Sequence, residues 1–110
     1  MKYSYQAEKF SSARRALMLP HAKGETASIA DAFAECVFGT TKLELGDLDD
    51  NAKELLRKLN ELIDPVGLKD PANRGFYAIK AEKLTIEQRR ELSALVDELA
   101  TWFDLRSRCT

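Results

Sequence analysis

Histidine is almost missing from this chain of 110 residues: His21 stands alone. A catalytic dyad or a metal centre built from several imidazoles is therefore excluded within one copy. Cysteine is as scarce. Cys36 and Cys109 form no C-x-x-C pair, and two cysteines make no disulfide framework. Cys36 is expected to be a small buried hydrophobe on a helix, and Cys109 a free, exposed thiol. An excess of either charge is also lacking, since seventeen basic residues face eighteen acidic ones. A dedicated nucleic-acid binder usually carries a basic surplus. Near-neutrality instead leaves little repulsion between copies. No apolar run approaches eighteen residues and no leader-like stretch opens the chain, so a cytoplasmic location without membrane contact is expected. Glycine-rich phosphate loops and the G-x-S-x-G elbow are absent, and no cofactor is expected.

What the chain does have is apolar residues at helical spacing. A hydrophobic fraction of 45% with 32% charged residues suits a globular protein. At this length we expect one domain over residues 1–110, burying roughly 65% of its unfolded surface. The clearest pattern runs from Thr85 to Arg106. Leu92, Leu95, Val96, Leu99, Trp102 and Phe103 share one face at about 100° per residue, extended by Ala100 and Ile86. Thr85 and Gln88 have the spacing of a capping box, and Glu87 and Arg106 suit the two ends of the helix dipole.

Three further helices are predicted. The first covers Met1 to Leu19 through Tyr3, Phe10, Ala13 and Leu17, and ends at Pro20. After a loop over His21–Gly24, the second runs from Glu25 to Phe38. Its stripe of Ile29, Ala30, Phe33, Cys36 and Val37 is widened by Ala27, Ala34 and Phe38. Ser28, Asp31, Ala32 and Glu35 remain as an outer strip, and Gly39 is placed just beyond the C-cap. The third runs from Asp47 to Ile63 on Leu48, Ala52, Leu55, Leu56, Leu59, Leu62 and Ile63, with Asn51 and Glu54 as a candidate cap and Glu54–Lys58 as a favourable pair. Pro65 to Gly75 is the longest loop. Residues 41–45 and 76–81 alternate well enough for a short two-stranded ribbon, although 76–81 fits a helical turn equally well. The expected fold is thus mainly α, a helical bundle of about four helices, with that ribbon as an optional addition.

Candidate chemistry is sparse. Asp31 and Glu35, four apart on one helix, have a spacing that carboxylate metal sites use, but no Glu-x-x-His accompanies them. Asp47, Asp49 and Asp50 resemble a calcium loop only in part, because Ala52 and Lys58 occupy the positions that loop reserves for glycine and glutamate. Neither group is expected to hold a metal. Lys53, Arg57 and Lys58, and again Lys80, Lys83, Arg89 and Arg90, are cations interleaved with acids and read as solvated faces.

Arg14, Arg15, His21 and Lys23 gather cations and an imidazole around one helix end, a candidate anion or phosphate patch. The Arg15–His21 separation resembles the R-x(4–6)-H element of HEPN-type ribonucleases, which are helical and of similar length. That resemblance implies His21 as acid/base and Arg15 as a phosphate-stabilising cation at a dimer interface. The chain departs from the pattern: Ala16 follows the arginine, Pro20 interrupts the helix before His21, and the element lies early. The expected role is therefore non-enzymatic, an interaction or regulatory module with a protein partner or a second copy of itself. The alternative is a nucleic-acid-directed protein, binder or nuclease, using this cluster.

Overall fold

The computed structural model describes residues 3–21, 23–41, 43, 46, 48–65, 67–68 and 75–108. Among them five helices and no strand occur: α1 (Ser4–Leu17), α2 (Glu25–Thr40), α3 (Asp50–Ile63), α4 (Phe76–Lys83) and α5 (Ile86–Arg108). The helical-bundle expectation holds, but with five helices. α1 lies between α2 and α5, α4 packs on α2, and α3 packs on α5. The extents are 45 × 30 × 24 Å.

Aromatic residues join the layers. Phe10 on α1 stacks on Phe103 of α5 with centroids 5.2 Å apart. Tyr3, in a left-handed conformation at φ 66°, meets both Trp102 and Phe103 edge-on at 5.6 and 5.5 Å. A non-glycine residue there carries about 1–2 kcal/mol of backbone strain, which the ring contacts offset. Phe10, Phe33 and Phe103 are fully buried, and a single apolar cluster runs through all five helices and the Leu84 junction.

The ribbon is not present among the described residues. Residues 76–81 belong to α4, whose face places Ile79 and Ala81 in the interior and Tyr77 against Phe33. Thr41 is in the helical region, and the Leu43 N–H donates back to the Thr40 carbonyl as in a turn; residues 42, 44 and 45 lie outside the described residues. The sequence left 76–81 open between the two because eight residues have room for only two helical turns, and the helical alternative is the one formed.

α2 departs from expectation in length and in facing. It continues through Gly39 to Thr40, whose hydroxyl donates to the Cys36 and Val37 carbonyls. Ser28, Ala32 and Gly39 are buried, whereas Phe38 is half exposed at 50%. The outer strip therefore holds Asp31 but not Ser28 or Ala32. The cause is close approach: a Cβ at Gly39 would lie 3.1 Å from Phe10 Cε2 and 3.2 Å from Lys9 Cβ, so small residues are the ones that let α1 in. Hydrophobicity scales rank such residues low, so the predicted stripe of Ile29, Phe33 and Cys36 is buried as expected but the buried arc extends onto Ser28, Ala32 and Gly39.

α3 starts later than expected. Asp49 is its N-cap, accepting from the Ala52 N–H at 2.8 Å, in place of the Asn51–Glu54 pair. Glu54 pairs with Arg57 and not with Lys58. The Thr85–Gln88 capping box on α5 forms as expected: the Gln88 N–H donates to Thr85 Oγ1 at 3.1 Å, and the Thr85 N–H donates to Gln88 Oε1 at 2.8 Å. Ile86 is 65% exposed and does not extend the buried stripe. No helix among the described residues is long and apolar enough to cross a membrane.

Candidate functional site

α1 ends at Leu17, and the chain turns through Pro20 and His21 to reach α2. The turn closes with the Gly24 N–H donating to the His21 carbonyl at 2.9 Å. Gly24 sits at φ 94°, a conformation side chains disfavour, and caps α2 through its backbone. This turn sets His21 back over the end of α1, where its Nε2 lies 3.1 Å from the Leu17 carbonyl oxygen. A carbonyl only accepts, so Nε2 carries the proton, and Nδ1 is left as an acceptor in the neutral ring.

Beside His21 opens a cleft of about 550 Å³ between the start of α2 and the first three turns of α5. Leu17, Ile29 and Ile86 supply its apolar lining, while His21, Glu25, Arg89, Arg90 and Ser93 supply the polar part. Arg89 reaches across to form an ion pair with Glu25, tying α5 to the start of α2. Its Nε is buried without a hydrogen-bond partner. Arg90 is exposed and has no ion-pair partner among the described residues. Met18 and Leu19, next to the cleft in sequence, are 60% and 81% exposed.

The four residues singled out from the sequence do not converge. Arg14 turns to Asp97 of α5 at 3.4 Å, Arg15 donates to Ser12 Oγ at 3.1 Å, and Lys23 pairs with Asp31 at 3.8 Å. Only His21 lines the cleft, and its cationic company there comes from Arg89 and Arg90, about seventy positions further on. No local signal joins those arginines to His21; packing of α5 against α1 brings them together.

A second cleft, of about 390 Å³, lies on the other flank of α5 against α3. Its lining is Asn51, Leu55, Asp97, Glu98, Thr101, Trp102 and Leu105. Trp102 is tied to the start of α3 and to the end of its own helix. The indole N–H donates to Asp49 Oδ2 at 3.2 Å, and Arg106 both lies over the ring at 4.9 Å and donates to the same oxygen at 3.3 Å. The Ala52 N–H, and after it the Trp102 indole, hold the Asp49 carboxyl below its usual range.

The remaining candidates are accounted for in the interior or in ion pairs. Glu35 pairs with Lys9 at 3.7 Å and Asp31 with Lys23, so the two carboxylates serve different cations. Asp47 and Cys109 lie outside the described residues. Among the described residues no group of three His, Cys, Asp or Glu side chains could hold a metal ion. Cys36 is buried as expected, and burial, with the Glu35 charge behind it, pushes its thiol up to about 12. At neutral pH it is a thiol and a poor nucleophile.

Compared with known protein families, with curated proteins and with solved structures, the chain finds no match in any of the three.

Proposed function

We propose that this protein is a non-enzymatic helical interaction module that self-associates. The observation that supports this reading is the exposure of large apolar side chains: Ile86, which lines the His21 cleft, is 65% exposed, and Met18 and Leu19, next to the cleft in sequence, are 60% and 81% exposed. Large apolar groups left facing solvent favour contact with another macromolecule. The net charge of −1 opposes association of copies only weakly. The imidazole meets a carbonyl oxygen, a partner that orients the ring.

Sedimentation equilibrium over a wide concentration range tests the proposal. Mass should rise from monomer toward dimer with concentration. The double variant Leu19→Ser/Ile86→Ser should shift that rise to higher concentration by tenfold or more. A chain that stays monomeric to millimolar concentration would overturn the reading. His21 beside Arg89 and Arg90 is the feature that favours the phosphate-directed alternative. RNA binding that falls steeply with salt, from a monomer, would support that alternative instead.

A further inference from the structure

α5 presents an outward strip that advances in steps of three and four: Ile86, Arg90, Ala94, Asp97, Thr101 and Leu105, all exposed. The two ends of the strip are large and apolar, with Ile86 65% and Leu105 56% open to solvent. Ala94 near the middle is small. The strip also joins the two clefts. Ile86 and Arg90 line the one that holds His21 and Arg89, whereas Asp97, Thr101 and Leu105 line the one that holds Glu98. One end therefore carries Arg90, which has no ion-pair partner among the described residues, beside the Arg89–Glu25 pair, and the other has two carboxylates, Glu98 and the Arg14-bound Asp97, and no basic side chain in its lining.

A surface with opposite charges at its two ends is complementary to its own reverse. A two-fold axis through the middle of the strip sets each end against the other end of the second copy. We infer that two copies of this chain pair antiparallel along α5, the His21 cleft of each facing the Asp97–Glu98 cleft of the other. This rests on the self-association proposed above and names the surface that carries it. In that register Ile86 of one copy lies opposite Leu105 of the other, Arg90 opposite Thr101, and Ala94 opposite Asp97. Arg90 then comes within one turn of the other copy's Asp97. Asp97 offers it Oδ2, since the contact with Arg14 uses Oδ1. Parallel pairing would set Arg90 beside Arg90 and Asp97 beside Asp97, so it is opposed by like charges. Ala94 lets the axes approach to the 8–10 Å typical of packed helices. A strip of one helix is narrow beside standard interfaces, so the pair should be weak and concentration-dependent.

Cross-linking distinguishes this arrangement from others. Ile86→Cys and Leu105→Cys are placed in separate chains in a Cys109→Ser background and treated with a short bismaleimide above the dissociation constant of the wild type. Positions 86 and 105 of one helix are about 28 Å apart at 1.5 Å rise per residue. Antiparallel pairing therefore cross-links the mixture and leaves Ile86→Cys alone largely unlinked. Ala94→Arg, at the centre of the strip, should raise the dissociation constant at least tenfold without lowering the melting temperature. Lys53→Glu, on the exposed face of α3, should leave it unchanged. A dimer that links Ile86→Cys to itself, or that links neither pair, would overturn the α5 arrangement while self-association stands. A chain that remains monomeric would overturn both.

Discussion

Asp49 receives three donors, from the Ala52 backbone, the Trp102 indole and Arg106, and so couples the start of α3 to the end of α5. All three favour the carboxylate, which is why its pKa is lowered. A carboxyl depressed in the folded state contributes stability that is fully present above the unfolded value of about 3.9 and lost as pH falls through the folded value. Asp49→Asn should therefore lower the melting temperature at neutral pH, with the gap from wild type closing under acid. Trp102 fluorescence during thermal unfolding measures both curves, and a gap independent of pH would contradict the charge-based account. Legibility from sequence was uneven among single residues. The burial of Cys36 could be read from its place on a helical stripe. The burial of Ser28, Ala32 and Gly39 could not, because a small residue signals a close neighbour only once that neighbour's position is known. The roles of Asp49 and Trp102 toward each other were equally hidden, since 53 positions separate them.

The helices show which signals are local. The two reciprocal hydrogen bonds between Thr85 and Gln88 satisfy orphan N–H groups at the start of α5, and both partners are visible as a three-residue spacing. Thr85→Ala should cost about 1 kcal/mol. Gln88→Ala should add little in that background, because the two bonds support each other. Urea denaturation of the two single variants and the double variant measures this. Full additivity would show that the two bonds act separately. α3 was legible for the same reason: its apolar residues form one narrow row, and all six of its buried side chains were in that row. α4 was not, because eight residues hold too few turns for helical and alternating patterns to diverge. Its Phe33–Tyr77 contact at 6.3 Å shows what settles its place, the face of α2 that carries Phe33.

At the scale of the molecule, Phe103 is the common neighbour of α1 and the aromatic end of α5. It is fully buried, stacked on Phe10 and edge-on to Tyr3 and Trp102. Phe103→Ala should lower the unfolding free energy by about 3–5 kcal/mol, a large share of the 5–15 kcal/mol typical of a domain. Chemical denaturation monitored by circular dichroism gives the value, and a loss below about 1 kcal/mol would mean that α1 and α5 are held together elsewhere. The helical class and the amphipathic rows of α3 and α5 followed from residue spacing, because a helix repeats every 3.6 residues. The layer order, the inward turn of the small face of α2 and the meeting of His21 with Arg89 and Arg90 depended on how the finished helices pack. Those are contacts between residues far apart in the chain, and spacing along a chain carries no record of which distant faces will meet.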